Sequence, residues 1–224
     1  MRNAVLYNES TVITIDNSGC IGNKDEDLVK VPNEITGYFL ARVTILEQWC
    51  AGAEPAQLLL ANFSGEKAWE EYIDGISQVF EQIDQPMPPL SGSTESNFHA
   101  LQSAVSLTMI GEKVRQPSLE NCHYYVVGKP LVGQEVMDDR KSIASLKELS
   151  TLIGNGIIQC IWPTGSKGIG AEISRVLGVG YTCLCDLNKS AGPSTAVIVA
   201  VKEKDISRFK EMISSPIVRI EMSL

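Results

Sequence analysis

Long apolar runs are missing from this 224-residue sequence, as are an excess of basic residues, histidines in number and any cysteine array. No stretch approaches the roughly 20 consecutive apolar residues of a membrane-spanning helix, and Met1 to Glu9 contains no signal-like apolar segment. A cytoplasmic protein with no membrane partner is expected. Lys and Arg number 19 against 27 Asp and Glu, a formal net charge of −8 that repels a phosphodiester backbone, so nucleic acid is not an expected partner. A nucleotide carried with Mg2+ stays compatible, because a metal ion and local amides reverse the sign of the field inside one pocket. The two histidines, His99 and His123, are isolated and give no support to a nucleophilic triad. Six scattered cysteines are expected to remain free, and Cys183-x-Cys185 lacks the second pair or nearby histidine that would complete a zinc site. No repeat of fixed period is present.

What the chain does have is 44% apolar content, enough for a core in one large domain or two small ones. β-branched residues fill 11–16, a strand ending on Asp16 and running into the glycine-rich stretch 17–25. Pro32 suits the first turn of a helix that carries Tyr38, Ala41, Arg42, Ile45, Leu46 and Trp49 and stops near Gly52. Residues 56–63 read as a buried strand. Trp69, Tyr72, Ile73, Ile76, Val79, Phe80 and Ile83 then recur at spacings of three and four, one stripe of an amphipathic helix. After the proline- and serine-rich stretch 84–97, Leu101, Val105, Leu107 and Met109 alternate as in a long strand. A polar stretch, 111–121, separates this from a second pattern with strands at 122–127, 156–162, 181–185, 196–201 and 217–222 and helices at 140–152, 167–177 and 204–213. The expectation is an α+β (α/β) protein of two domains, 1–115 and 121–224.

Three segments have the residue types for chemistry. In Asp16-Asn17-Ser18-Gly19-x-x-Gly22-x-Lys24-x-x-Asp27 the glycines let backbone approach an anion, Lys24 supplies a point charge and the two aspartates suit Mg2+; a hairpin with solvated charges fits the same pattern. Gly92-Ser93-Thr94-Glu95-Ser96-Asn97 offers small residues with Glu95 and Asn97 as hard-cation ligands, or else an ordinary exposed loop. The third, Pro163-Thr164-Gly165-Ser166-Lys167-Gly168-Ile169-Gly170, sits between a strand and a helix, where amides can face an anion. It is one residue short of the cofactor loop of short-chain dehydrogenases. The Tyr125-x-x-x-Lys129 match also precedes it instead of following, which argues against that family. The stretch 186–195 reads equally as a substrate loop or a turn.

Taken in order, these segments resemble the aminoimidazole-ribonucleotide (AIR) synthase-like, or PurM-like, superfamily: the first loop, a helix ending at Ala51-Gly52-Ala53-Glu54-Pro55, a buried strand, a second helix and Gly92-Ser93-Thr94-Glu95-x-Asn97. Lys30-Val31-Pro32, Gly37-Tyr38-Phe39-x-Ala41-Arg42, Asn97-Phe98, Pro163 to Gly168 and Ser190 to Thr195 are similar to the bacterial α-ribazole kinase branch. Thiamine-monophosphate kinases are more distant, with a doubled aspartate near the position of Ser18.

The resemblance implies an N-terminal domain that binds ATP and Mg2+ and dimerises through its sheet, followed by a shortened C-terminal domain that closes over a nucleoside-like substrate. It implies transfer of the ATP γ-phosphoryl group to the 5′-hydroxyl of α-ribazole. Asp16, Asp27 and Glu95 would hold Mg2+ with Asn97 assisting. Lys24 and Arg42 would meet phosphate, Ser18, Gly19, Gly22, Gly92, Ser93 and Thr94 would line ATP, and Gly165, Ser166, Lys167 and Gly168 would orient phosphate or ribose; Asp16 and Lys24 are the expected catalytic pair. The alternatives are another kinase or ligase of the same fold and a non-catalytic nucleotide-binding dimer.

Overall fold

The computed structural model describes residues 3–222, and the chain divides into two compact units between residues 115 and 116. The first unit runs β1 (Ala4–Leu6), β2 (Thr11–Gly19), the short parallel pair β3 (Ile21–Gly22) and β4 (Val29–Lys30), α1 (Asn33–Cys50), β5 (Ala53–Asn62), α2 (Lys67–Gln82), β6 (Leu90–Thr94) and β7 (Ala104–Lys113). Its five-stranded sheet has the order β1-β2-β7-β5-β6 and is antiparallel except where β6 joins β5.

Strand periodicity divides this sheet into two unlike faces. Val12 and Thr14 of β2, Leu58 and Leu60 of β5, and Val105, Leu107 and Met109 of β7 are buried where α1 packs on the sheet. Their alternates stay open: Ile15 is 50% exposed, Leu59 40% and Phe63, just past β5, 48%. Helix α1 lies between the sheet and α2, so it is buried from Leu40 to Trp49 and shows no clean polar face. Its buried Gln48 repays desolvation by donating to the carbonyls of Val12 and Met109 and the hydroxyl of Thr14, at 3.3, 2.9 and 3.1 Å. The two helices approach closely at glycines: a side chain on Gly37 would strike the Tyr72 carbonyl, and one on Gly75 the Glu34 carbonyl.

The second unit contains β8 (Cys122–Val127), α3 (Glu135–Asp138), α4 (Leu146–Gly154), β9 (Ile158–Pro163), α5 (Gly168–Leu177), β10 (Tyr181–Cys183), β11 (Val197–Lys202), α6 (Ile206–Met212) and β12 (Ile217–Met222), in an antiparallel sheet of order β10-β12-β8-β11-β9. Both faces of this sheet are covered. Val126, Trp162, Ile198 and Val218 pack with Ile169 and Ile173 of α5, while on the other face Tyr125 meets Phe209 of α6 at a ring separation of 5.2 Å. Val197 to Val201 are all 0% exposed, which explains why β11 reads as an unbroken apolar run.

Most expected elements form, with four main differences, the first being that Leu101, expected in the long strand, lies outside β7 and is 70% exposed. Strand β2 continues through Asn17 and Ser18 to Gly19, because β7 offers partners along its whole length. Leu90 to Thr94, expected as loop, is a strand on the sheet edge. The helix expected over 140–152 starts only at Leu146, where the Ser145 hydroxyl caps it by accepting from the Glu148 amide at 3.3 Å; residues 140–142 form a separate 3-10 turn. Among the described residues, no helix is long and apolar enough to cross a membrane.

Candidate nucleotide and metal site

Cross-strand register brings two of the sequence motifs to one end of the first sheet. Ser18, Val105, Asn62 and Thr94 form a single row across β2, β7, β5 and β6, so the segments after Gly19, Asn62 and Thr94 and before Ala104 all leave at that end. They are tied together there: Cys20 donates its amide to the Ser103 carbonyl at 2.8 Å, Gln102 donates to the Glu26 carbonyl at 2.7 Å, and the Lys24 ammonium donates to the Ala100 carbonyl at 2.7 Å.

Asp27 anchors this end. It is 6% exposed and accepts from the Ser103 amide and hydroxyl, each at 2.7 Å, and from the Lys24 amide at 2.9 Å. Burial by itself raises an aspartate, but the Ser103 hydroxyl and amide and the Lys24 amide outweigh it, and its carboxyl is held below the ordinary value. Both oxygens accept hydrogen bonds from the fold, one at Oδ1 and two at Oδ2, which gives Asp27 a positioning role for the Lys24 loop. Gly22 is likewise structural, since a Cβ there would stand 2.7 Å from Cβ of Ser103 and 2.8 Å from Oδ1 of Asn33.

Glu95 is only partly exposed and bends the chain after β6. Its amide donates to the Asn62 carbonyl at 2.8 Å, and its Oε1 accepts from the amides of Asn97 and Phe98 at 2.7 and 3.3 Å. Ser91, Gly92 and Ser93 are exposed on edge strand β6, with Thr94 hydrogen-bonded to the Asn62 side chain at 3.1 Å. Gly92 is required there because a side chain would strike the Leu60 carbonyl. Asp16 lies in the row of Leu107, Leu60 and Gly92, three strands from β6, or about 14 Å at ~4.8 Å per strand. Within one chain, Asp16 therefore stands apart from the β6 edge that leads into Glu95.

Arg42 departs further from expectation. It is 1% exposed within α1 and hydrogen-bonds with Tyr38; burial lowers its guanidinium and Tyr38 partly restores it. A side chain enclosed in this way does not meet a phosphate, and it belongs to the helix core.

The residues that remain fit a hard cation in part. Among the described residues, no three His, Cys, Asp or Glu side chains cluster as a metal cage. Asp16, Glu95 and Asn97 are oxygen donors with at least partial exposure, the donor set of an ion that keeps waters and phosphate oxygens as most of its ligands.

In the second unit, structure joins the two loop motifs that sequence could only name separately. Thr164 donates its amide and hydroxyl to the Ala196 carbonyl at 3.1 and 2.5 Å, and the Ala191 amide donates to the Gly165 carbonyl at 3.1 Å. The Gly170 amide donates to the Leu187 carbonyl at 2.8 Å. Thus the segment 186–195 lies over the first turn of α5. Gly168 has φ of +79° and donates its amide to the Gly165 carbonyl, so two amides expected to face an anion are used internally. Ser166 and Lys167 are exposed at the mouth of this turn. Sequence reading missed Ser103, Asn62 and Gln102, which fix the first site through contacts more than 30 residues away and carry no local motif.

No protein-family model matches the chain, and no curated protein sequence matches it. Solved structures do. Hydrogenase maturation protein HypE superposes with a TM-score of 0.65 at 11% identity, covering 97% of this chain and 82% of that one. Thiamine monophosphate kinase from Aquifex aeolicus gives 0.61 at 10%, covering 98% and 88%. A complex of the Aquifex protein with AMPPCP and TMP gives 0.61 at 11%, covering 98% and 82%. At these identities the likeness is one of fold, and the chain has the AIR synthase-like, PurM-like two-domain α+β fold.

Proposed function

We propose that the protein is an ATP-dependent small-molecule kinase that transfers the γ-phosphoryl group to the 5′-hydroxyl of α-ribazole. The observation that carries this reading is the gathering of Lys24, Glu95 and Asn97 at one end of the first sheet, in a fold whose solved members include HypE in complex with ATP and the Aquifex kinase with AMPPCP and TMP. The acceptor is inferred from the similarity of 92–98, 163–168 and 190–195 to the α-ribazole kinase branch. A cytoplasmic setting goes with this reading.

Phosphoryl transfer needs positioning and charge neutralisation more than covalent participation. Mg2+, when bound, would supply positive charge that neutralises the transferring phosphoryl group. Glu95 and Asn97 would hold it at the β6 end, with Asp16 the further carboxylate expected to serve it. Lys24, tethered by Ala100 and positioned through Asp27, places its charge beside the phosphates. Ser18, Gly19, Ser93 and Thr94 line the nucleotide, and in the second unit Ser166 and Lys167 are the groups expected to orient phosphate or ribose. The half-exposed apolar face bearing Ile15, Leu59 and Phe63 pairs two copies into a homodimer.

The test is product analysis by mass spectrometry after incubation with Mg-ATP and, separately, α-ribazole, thiamine monophosphate and common nucleosides. The expected result is α-ribazole heavier by one phosphoryl group with an equal amount of ADP. Product from thiamine monophosphate alone would replace the acceptor, and tight ATP binding with no product from any acceptor would favour a non-catalytic nucleotide-binding dimer. Replacing Glu95 by Ala is expected to lower turnover by about 100-fold or more with the fold intact.

A further inference from the structure

Cys183 ends β10, paired with Ile220 of β12, and the backbone bends at the next two residues, Leu184 and Cys185. Leu184 is 97% exposed, whereas the sulfurs on either side of it pack on one apolar cluster with Ile169, Ile173 and Trp162. Both cysteines are free thiols, and with Leu184 turned outward their side chains lie on the same side of the chain. Residues i and i+2 of a straight strand stand about 6.6 Å apart, within the upper end of what a disulfide spans. We propose that Cys183 and Cys185 form a dithiol that peroxides close to a disulfide, a modification site that reports oxidant exposure to the segment covering the first turn of α5.

The chemistry balances with peroxide as oxidant. The Cys185 thiolate attacks the O–O bond, giving a sulfenic acid and releasing hydroxide; Cys183 then attacks that sulfur, forming the S–S bond and expelling the second oxygen as water once the Cys183 proton is transferred. Overall, two thiols and one hydrogen peroxide give one disulfide and two waters. Cys185 is the attacking group because it is the more exposed of the two. Burial pushes Cys183 up to about 12 and also raises Cys185, whose hydrogen bond from Cys183 works against that rise. The reaction therefore speeds up as pH rises. Coupling runs through the chain itself. Cys185 precedes Asp186, whose carboxylate accepts from the amides of Asn188 and Lys189 at 3.1 and 3.0 Å, and the Leu187 carbonyl between them holds the Gly170 amide. Drawing Cys185 onto Cys183 displaces this turn.

The experiment exposes the full chain to hydrogen peroxide at about pH 8.5, alkylates the remaining thiols and analyses the tryptic peptide 176–189. The expected wild-type peptide is unalkylated, lighter by two hydrogens, restored by dithiothreitol, and accompanied by faster hydrogen exchange at Gly170. C183S is expected to carry Cys185 on to sulfinic acid, and C185S to leave Cys183 alkylatable only after denaturation. A wild-type peptide oxidised as two separate sulfinic acids, or alkylated as readily as Cys122, would overturn the disulfide. A disulfide formed with unchanged exchange at Gly170 would overturn the coupling.

Discussion

The two sheets of this protein bury themselves differently. In the second unit helices lie on both faces, and the middle strand β11 is enclosed from Val197 to Val201. In the first unit α1 and α2 lie on one face, and the other keeps Ile15, Leu59 and Phe63 at 40–50% exposure. A sheet covered on both faces is finished within its own unit, whereas one with a half-exposed apolar face presents surface suited to association. The difference explains why the proposed homodimer runs through the first unit.

Placing a charge on each sheet tests this contrast most strongly. Replacing Val199, 0% exposed on β11, by Asp strands a carboxylate between two covered faces and is expected to cost about 4 kcal/mol or more. Circular dichroism would then show an unfolded second unit. The same change at Ile15 is expected to alter unfolding by no more than about 1 kcal/mol while abolishing self-association in analytical ultracentrifugation. A dimer that survives Ile15→Asp would break the contrast. Next in size, Leu107→Ala on the helix-covered face of β7 is expected to lose about 2–5 kcal/mol in denaturant titration, since the residue is 0% exposed.

Asp27 sharpens the comparison on its polar side. Replacement by Asn removes the charge that three donors address and is expected to cost about 1–3 kcal/mol. Its folded carboxyl is depressed, so its stabilisation is fully present above the unfolded aspartate value near 3.9 and is lost as pH falls through the folded value. Urea titrations from about pH 6 down to 3 should show an acid limb that Asp27→Asn flattens. In the second unit Glu148 accepts from Ser214 and Ser215, and despite partial burial these bonds also lower its carboxyl. The sign is the same. Glu148→Gln is expected to cost only about 1 kcal/mol, because the site is partly solvated.

Local pattern foretold most of this architecture. The alternation Val105, Leu107, Met109, the stripe Tyr72, Ile76, Val79, Phe80 and the apolar run of β11 each report burial that neighbouring residues impose, so they can be read along the chain. Helix α1 was legible from Pro32 at its start and Gly52 past its end more than from a polar face, because enclosure on several sides removes that face. The candidate site was legible only as residue types. Glu95 and Lys24 were noticed where they stand, but that Asp27 is held by Ser103, 76 residues away, depends on strand register. Arg42 looked like a phosphate ligand because nothing in a sequence distinguishes an arginine on a helix surface from one enclosed beside Tyr38. The joining of 163–170 to 186–195 likewise needed the sheet to form first.

The kinase reading is tested most directly by following the γ-phosphorus of Mg-ATP with 31P NMR in the presence of α-ribazole. The account predicts that its signal disappears in step with the growth of a phosphomonoester resonance on the α-ribazole 5′-oxygen, with ADP formed in equal amount. Conversion of that phosphorus to free inorganic phosphate, or its retention in ATP while α-ribazole stays unmodified, would contradict it.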